Sequence, residues 1–400
     1  MKITGCILTK NEAPLLEDAI RNLKKLTNNI IIVDNGSSDN TRQIAEKFEC
    51  DIIISPQTIL DQTRNVYLNA INSGWVFVLD TDERLDDRTI TTIHNFCSQA
   101  PAEVMLARLP RYEYLGNGLF FESTMSRLFR SHPQIRYDPS PIHSSVTYSV
   151  KDLSGEIKFL DAPIQHIDVL VKQNSEMKRL SYTKLLEETL TQNEGTYYYM
   201  NLLMFLGVEY ATSRDYDKAL NIFDSILNSN RCTERMRYYV EFYKCRLFML
   251  EGEFEKVKEL VHVDQISDLY WKAKFLTLKA EILWINGDLE NSKKCYYEAL
   301  DINPNELQLL LNLAYLEKIE NPQVTVDMIN NAIKINSYLL EPIIYKNVDS
   351  TKNVFFFQKP IDLMNRNSTN IFECMIEALK SLEETNEINT WMNHQINCIA

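Results

Sequence analysis

The chain has 400 residues, 45% of them hydrophobic, which is enough for two or more domains that each bury a core. Its 42 Lys and Arg residues against 55 Asp and Glu residues give a formal charge of -13. Because this charge repels nucleic acid and anionic lipid, neither is expected as a partner. No window approaches the roughly 20 apolar residues that span a bilayer, which predicts a cytoplasmic protein without stable membrane insertion.

Short apolar runs alternate with amphipathic helical stretches over residues 1–100. This order is typical of an α/β domain with a parallel sheet. Polar residues collect where the predicted strands end, at 11–12, 34–38 and 80–83. Ligands of such sheets bind outside the carboxyl ends of the strands, so a binding site is expected there. Over residues 104–170, β-type runs with turn residues between them predict further strands and loops of the same domain, on its acceptor-facing half.

A helical repeat replaces the β-type runs beyond about residue 175. The spacings from Gly252 to Gly287 (35 residues) and from Ala299 to Ala332 (33 residues) bracket the tetratricopeptide period of about 34. Small residues at these positions let paired helices approach closely, which predicts a tetratricopeptide-like solenoid. Two segments carry the repeat spacing most fully, through Leu203, Leu206, Gly207, Tyr210, Ala219 and Phe223, and through Leu276, Ala280, Leu283, Gly287, Tyr296, Ala299 and Pro304.

The stretch WVFVLDTDER joins a predicted buried strand to two carboxylates, Asp80 and Asp82. Side chains two residues apart on an extended segment point the same way, so both are expected to reach one Mg²⁺ or Mn²⁺ ion. Such a cation would bridge the diphosphate of a nucleotide sugar and offset the charge that grows on the leaving group. The alternative is a strand-end turn with solvated acids.

Four motifs follow one another in the first 85 residues: ILTKNEAPLLEDAIRNL, IIIVDNGSSDNTRQIAEKF, TRN and VFVLDTDE. Together they resemble the opening of the inverting family-two glycosyltransferases of the GT-A fold. A dinucleotide-binding dehydrogenase is excluded, because TKNEAP follows the first strand in place of Gly-x-Gly-x-x-Gly. The resemblance implies a UDP-sugar donor whose nucleoside is bound by Thr9, Asn11, Glu12 and Asp34, with Arg64 near the diphosphate.

Taken singly, these residues would be ordinary. Glu12 would be an acid at a helix N-terminus, where the helix dipole favours negative charge. Asp34 would be a turn residue and Arg64 a surface cation. Their ordered occurrence with the carboxylates of VFVLDTDE favours the donor site over these separate explanations.

The segment SRLFRSHPQIRYDPSPIHSSV resembles the region of these enzymes where an R-x-F-R strand leads to Val-His-Glu. Arg127 and Arg130 keep the basic positions and are expected to bind donor phosphate, unless they are merely cations on an edge strand. Ser144 stands where the glutamate would be, so the acceptor base stays open. The candidates for that base are His143, Glu113, Glu122 and Asp138.

The segment APIQHIDVL resembles the closing strand in which many GT-A enzymes place a third metal ligand. His166 is the matching residue, and a neutral imidazole would complete the site formed by Asp80 and Asp82. The alternative for His166 is a packed core histidine, since apolar residues flank it.

Together the motifs predict an α/β GT-A nucleotide-sugar-binding domain followed by an all-α tetratricopeptide-like solenoid. The GT-A domain is expected over residues 1–175, a linker helix over 176–194, the repeats over 195–340 and a C-terminal helical cap over 341–400. A solenoid offers a groove for an extended peptide or a surface for a partner subunit, so a peptide acceptor and a homo-oligomer both fit the repeats.

A compact GT-A domain running into such repeats resembles the bacterial peptide S-glycosyltransferases of the sublancin type, which modify bacteriocins. The resemblance implies inverting transfer of a hexose from a UDP-sugar to a cysteine or serine side chain of a bacteriocin-like peptide. Two alternatives stay open. One is a cell-envelope glycosyltransferase acting on a saccharide or lipid-linked acceptor, and the other is an inactive tetratricopeptide scaffold.

Overall fold

The computed structural model describes residues 2–56, 63–138, 140, 144–172, 175–196, 198–348 and 360–399. It divides into two compact units, one of Met1–Tyr114 and Glu122–Lys172, the other of Leu115–Phe121 and Gln173–Ala400. The first unit holds a sheet with helices, and the second is mainly helical. The predicted fold class, an α/β domain followed by an all-helical region, is confirmed. In the described part of the chain, no helix has the length and apolar content needed to cross a bilayer.

A single mixed sheet organises the first unit. Within the described residues the strands are β1 (Ile3–Thr9), β2 (Ile30–Asp34), β3 (Asp51–Ile54), β4 (Trp75–Val78), β5 (Glu83–Leu85), β6 (Val104–Gly116), β7 (Leu119–Arg130), β8 (Glu156–Phe159) and β9 (Ile164–His166). They follow the order β3-β2-β1-β4-β7-β6-β9-β5, and β8 pairs with β6. The strands β1 to β4 run parallel to one another, whereas β7 is antiparallel to β4.

Helices cover both faces of this sheet. They are α1 (Ala13–Lys24), α2 (Thr41–Lys47), α3 (Arg64–Asn69), α4 (Asp87–Gln99), α5 (Thr147–Asp152) and α6 (Asp168–Val171). Successive strand residues point to opposite faces, so Ile7 and Phe77 pack with α1 and α4, while Cys6 and Val78 pack with α3 and α5. Burial on both faces explains why these strands are apolar at nearly every position.

The chain order reverses at β1, which lies between β2 and β4. The strand β1 ends at Thr9, β2 ends at Asp34, and Asp80 follows shortly after β4. Parallel strands bring their carboxyl ends to one edge, and the reversal opens a crevice there. The structure therefore gathers the polar segments 9–12, 34–38 and 80–83 at one edge of the sheet.

The second unit consists of helices that pack as successive pairs. They are α7 (Ser175–Gln192), α8 (Tyr199–Thr212), α9 (Tyr216–Leu227), α10 (Glu234–Leu250), α11 (Phe254–Leu260), α12 (Leu269–Ile285), α13 (Leu289–Ile302), α14 (Leu307–Glu317), α15 (Pro322–Ile335), α16 (Leu363–Arg366), α17 (Ile371–Ser381) and α18 (Thr385–Ile399). Extensive packing joins α8 to α9, α12 to α13, α14 to α15 and α17 to α18. This pairing is typical of tetratricopeptide-like repeats.

Gly207 lies where α8 approaches α9 most tightly. A Cβ atom at this position would lie 2.6 Å from Cε1 of Phe223, whose ring is fully buried. Because the ring cannot move into solvent, the pair needs a residue without a side chain here. The small residue of the repeat spacing thus sets how close the two helices come.

We predict that Gly207→Leu lowers the free energy of unfolding by about 1–3 kcal/mol, as overpacked cores do. Leu favours helix more than Gly by roughly 1 kcal/mol, so any net loss comes from packing. The matched control is Ser225→Leu on α9, where the side chain is exposed. Denaturant unfolding of both variants checks this, and equal stability of the two would contradict the packing explanation.

Candidate functional site

The loops that follow β1 and β2 hold each other in place. Asn11 has φ of 56°, in the left-handed region that asparagine tolerates. Its N–H donates to Ser37 Oγ at 2.9 Å, and its Oδ1 accepts from the Ser38 N–H at 2.8 Å. Asp39 accepts from the N–H of Ala13, the first residue of α1, at 3.2 Å. The segments predicted to bind the nucleoside are thus joined into one wall of the site.

Thr9 and Asp34 are neighbours in the β1–β2 register, and both are buried. The Thr9 hydroxyl has no hydrogen-bond partner among the described residues. Asp34 accepts the Ser37 N–H at 2.9 Å and pairs with Arg42. Burial would raise the pKa of Asp34, but the hydrogen bonds from Ser37 and Arg42 outweigh it and lower the pKa. Asp34 is therefore an ionised acceptor beside a buried hydroxyl, a pair suited to polar groups of a nucleoside.

Asp80 lies between two arginines. Its Oδ1 is 2.9 Å from Nη2 of Arg64, and its Oδ2 pairs with Nη2 of Arg127. Glu83, which is fully buried, holds Arg127 from the other side at 2.6 Å. Burial would raise the pKa of Asp80, but Arg127 and Arg64 hold it well below its usual range. The structure thus places two of the predicted donor-binding arginines together at the end of β4.

Asp82 takes different partners from Asp80. Its Oδ2 lies 2.6 Å from Lys172 Nζ, and its Oδ1 lies 3.5 Å from His166 Nε2. The chain turns between the two aspartates, because the Glu83 N–H donates to the Asp80 carbonyl at 3.0 Å. The alternation of an extended segment does not hold in such a turn. The structure thus places Asp82 beside His166 and Asp80 beside the arginines, and the sharing of one cation by both aspartates stays a prediction.

Asp82, His166 and Asp168 form a cluster that could hold a metal ion. One ligand atom from each of the three lies within 4.8 Å of the others. The antiparallel pairing of Glu83 in β5 with His166 in β9 brings the imidazole to this turn. Carboxylate oxygens with one imidazole nitrogen suit Mn²⁺ or Mg²⁺. The residues present thus fit the predicted cation, with Asp168 as a further possible ligand beside Asp82 and His166.

Glu113 was among the predicted acceptor bases, but in the structure it holds His166. The parallel pairing of β6 with β9 sets the two residues opposite each other, with Glu113 Oε2 2.5 Å from His166 Nδ1. Its Oε1 accepts from Arg111 Nε at 2.7 Å and from Ser123 Oγ at 2.8 Å. A carboxylate on Nδ1 orients the ring and turns Nε2 toward Asp82. Glu113 is therefore placed to position the His166 ring, and its role as the acceptor base stays a prediction.

The charges of Glu113 and His166 depend on each other. Burial would raise the pKa of Glu113, but Arg111 and His166 hold it well below its usual range. Burial would likewise lower the pKa of His166, but the carboxylates of Glu113 and Asp82 raise it to about 10. The imidazole is therefore protonated at neutral pH in the metal-free arrangement, and it neutralises carboxylates that would otherwise repel each other.

Lys172 lies between three carboxylates. Its Nζ is 2.6 Å from Asp82 Oδ2, 3.1 Å from Glu12 Oε1 and 3.6 Å from Asp168 Oδ1. Glu12, predicted to line the nucleoside pocket, is thereby joined to the metal-ligand cluster. The lysine follows α6 directly, so a single short segment carries both Asp168 and Lys172.

Arg130 lies apart from Arg127 and Asp80. It pairs with Trp75 at the amino end of β4, whereas Asp80 follows the carboxyl end of that strand. Its guanidinium lies 4.5 Å from the centre of the Trp75 ring and donates to the carbonyls of Ala100 and Val104. The structure thus does not bring Arg130 together with Arg127 and Asp80, and its role in donor binding stays a prediction.

The remaining base candidates differ in their surroundings. The two carboxylate oxygens of Asp138 accept the N–H groups of Ser140 and Ser145, each at 3.0 Å, so Asp138 stabilises its own loop. We therefore do not retain Asp138 as the base. Glu122 is partly buried on β7. His143 lies outside the described residues, so Glu122 and His143 stay the predicted candidates.

Four residues of the site have no counterpart among the sequence predictions: Glu83, Arg111, Asp168 and Lys172. Glu83 directly follows the two aspartates, and Asp168 lies two residues beyond His166, so local spacing could have indicated both. Arg111 and Lys172 reach the cluster from distant parts of the chain, and no local pattern marks them.

Family models match two parts of the chain. The glycosyl transferase family 2 model matches residues 5–149, and a tetratricopeptide repeat model matches residues 273–306. The first match covers the strands and loops that carry Thr9, Asp34 and Asp80–Glu83, whereas His166, Asp168 and Lys172 lie beyond it. The second covers the segment in which the repeat spacing is most complete.

Curated relatives match over shorter lengths. A TPR repeat-containing protein of Synechococcus elongatus is 29% identical over 156 residues, which are 39% of this chain and 38% of that protein. An uncharacterized glycosyltransferase of Rickettsia conorii is 34% identical over 84 residues, which are 21% of this chain and 30% of that protein. The chain thus spans less than two fifths of the length of either relative.

Solved structures align with low sequence identity. S. aureus TarS 1-349 is 13% identical with a TM-score of 0.35, and the alignment covers 75% of this chain and 91% of that one. A glucosyl-3-phosphoglycerate synthase of Mycobacterium tuberculosis, in complex with Mn²⁺, UDP and phosphoglyceric acid, is 12% identical with a TM-score of 0.36. That alignment covers 49% of this chain and 79% of the synthase.

Residues 5–149 therefore form a family 2 glycosyltransferase domain, and residues 273–306 form a tetratricopeptide repeat. The resemblance to family-two glycosyltransferases with C-terminal repeats is confirmed at this level. The finer resemblance to bacteriocin-modifying S-glycosyltransferases stays a prediction.

We predict that Glu83→Gln lowers the free energy of unfolding by about 3–5 kcal/mol, because it removes the buried negative charge that Arg111 and Arg127 share. Glu83 lies 3.1 Å from Arg111 and 2.6 Å from Arg127, and it is fully buried. The control is Glu156→Gln, which breaks an exposed pair with Lys158 and should change the stability little, because solvent screens that pair. Urea unfolding of both proteins measures the difference, and similar losses would contradict the buried network.

Proposed function

We propose that the chain transfers a sugar from a UDP-sugar to a polypeptide acceptor, with a divalent cation held by Asp82, His166 and Asp168. The observation that carries this proposal is the meeting of that ligand cluster with Arg64 and Arg127 at the carboxyl ends of the strands. Such an edge binds and neutralises a diphosphate, which is what a nucleotide sugar presents.

The proposed reaction is a single in-line displacement. A nucleophilic atom of the acceptor forms a bond to the anomeric carbon, while the bond from that carbon to the UDP oxygen breaks and UDP leaves with the electron pair. The acceptor proton passes to a base, and the anomeric configuration inverts. A bound cation would supply Lewis-acid stabilisation of the diphosphate. Arg64 and Arg127 are held by Asp80, so their guanidinium groups need little reorganisation to interact with the leaving group.

Side chains of the repeats support a polypeptide acceptor, because some of them already bind backbone groups of the segment that leads into α16. Glu281 on α12 accepts the N–H of Ile361 at 2.9 Å. Asn312 on α14 donates to the Ile361 carbonyl at 2.8 Å and accepts the Leu363 N–H at 3.0 Å. These contacts engage backbone groups rather than a particular side chain, as peptide-binding surfaces do. We propose that residues 195–340 bind the acceptor peptide. The peptide must bind at other positions of the repeats or displace the segment that contains Ile361.

The surroundings of the base candidates favour a thiol acceptor. Glu113 is paired with Arg111 and His166, and both oxygens of Asp138 bind backbone N–H groups. A thiol demands less of a base than a hydroxyl does, since its pKa near 8.5 leaves about a few per cent thiolate at pH 7. We therefore propose a cysteine of a bacteriocin-like peptide as acceptor, with serine second. All eight cysteines of the chain are free, which suits the reducing cytoplasm in which such a thiol persists.

We predict that UDP binds at least about tenfold more weakly in EDTA than in Mn²⁺, because carboxylates at contact distance repel a diphosphate unless a cation intervenes. Asp82→Asn should cause a similar loss in Mn²⁺. The control is Asp87→Asn, whose side chain is 91% exposed in the first turn of α4. Calorimetry of UDP measures these affinities, and equal affinity with Mn²⁺ and with EDTA would rule out the metal assignment.

We predict that the chain transfers sugar to peptides that contain one cysteine, more slowly to the serine versions, and with inversion. Mass spectrometry detects the added hexose, and NMR of the product gives the anomeric configuration. UDP-sugar hydrolysis without acceptor serves as the control for an active donor site. Transfer to an envelope saccharide or lipid-linked acceptor with none to peptide would contradict the acceptor proposal. Neither hydrolysis nor transfer, with the protein folded, would favour an inactive scaffold.

A further inference from the structure

Lys172 places an ammonium group among the residues that would hold the cation. Its Nζ lies 2.6 Å from Asp82 Oδ2 and 3.6 Å from Asp168 Oδ1, two of the three residues of the metal-binding cluster. Both carboxylates are largely buried, with Asp82 7% and Asp168 13% exposed. An ammonium and a divalent cation on the same carboxylate repel each other at this distance. Their binding at Asp82 is therefore competitive.

The local backbone keeps the ammonium in this position. Asp168 begins α6, and Lys172 directly follows its last residue, with the Lys172 N–H donating to the Asp168 carbonyl at 2.8 Å. Glu12, at 3.1 Å from Nζ, adds a third anionic contact from the start of α1. The side chain of Lys172 is only 31% exposed, so solvent screens these contacts incompletely. The lysine thus satisfies the carboxylates when no divalent cation is bound.

We propose that Lys172 is an internal competitor of the divalent cation, because its ammonium group lowers the affinity of the Asp82 cluster for further positive charge. This inference rests on the proposed metal site. A cation that arrives alone gains two carboxylates and an imidazole but is repelled by the ammonium group. A cation that arrives with UDP-sugar gains the diphosphate oxygens as further ligands, and the ammonium group then has a further anion nearby. The lysine thereby couples tight metal binding to the presence of the donor.

The test is Mn²⁺ binding without nucleotide, followed by electron paramagnetic resonance or calorimetry. Lys172→Met removes the charge and keeps much of the length of the side chain, and it should bind Mn²⁺ at least about tenfold more tightly, since one competing cation is lost. Lys172→Arg keeps a cation and should stay near the wild type. The control is Lys47→Met, which removes an exposed lysine that pairs with Glu17.

Suppose that Lys172→Met binds Mn²⁺ no more tightly than the wild type, while Asp82→Asn loses Mn²⁺ binding. This outcome would contradict the proposed competition by Lys172 and would support the proposed metal site. Mn²⁺ binding that survives Asp82→Asn would overturn the metal site and the competitor with it. Thermal melting in EDTA identifies any variant that fails to fold. In that case Lys172→Gln takes the place of Lys172→Met, with the same expected tightening of Mn²⁺ binding of at least about tenfold, and an unchanged affinity would overturn the proposal.

Discussion

Buried charge at the edge of the sheet is the constraint on which the rest of the first unit depends. Charges removed from water are stable only when each has a partner, because the cost of desolvation otherwise exceeds the gain from folding. Glu83 is the centre of this balance, since it is fully buried and contacts Arg111 and Arg127. The network contains four buried or largely buried acids, Asp80, Asp82, Glu83 and Glu113, and the cations Arg64, Arg111, Arg127, His166 and Lys172.

This network gives the two carboxylates of the Asp80-Thr81-Asp82 motif different partners. The turn closed by the Glu83 N–H and the Asp80 carbonyl sends Asp80 to the arginines and Asp82 to His166. The arginine side is suited to a diphosphate, and the imidazole side is suited to a cation. A nucleotide sugar needs both, because the negative charge that develops on UDP must be neutralised from more than one direction.

The second unit follows a different physical rule, since its form depends on close packing rather than on buried charge. Gly207 and the buried ring of Phe223 set the distance between α8 and α9. Polar side chains such as Asn312 then contact the backbone of the segment at Ile361. A scaffold of this kind can bind extended polypeptide without requiring one sequence, which makes it compatible with a peptide acceptor.

The sequence by itself determined the features that depend on local periodicity. Strand and helix alternation placed the polar segments at one edge, and the repeat spacing indicated the small residue at Gly207, because both follow from side-chain direction along a regular element. Only the tertiary structure decided which charge pairs with which. Glu113 meets His166 across 53 positions and Lys172 meets Asp82 across 90, while Arg130 turns away from the site although it lies three residues from Arg127. Spacing along the chain carries no information about such contacts, because they arise only when strands from distant segments pair and a turn redirects their side chains.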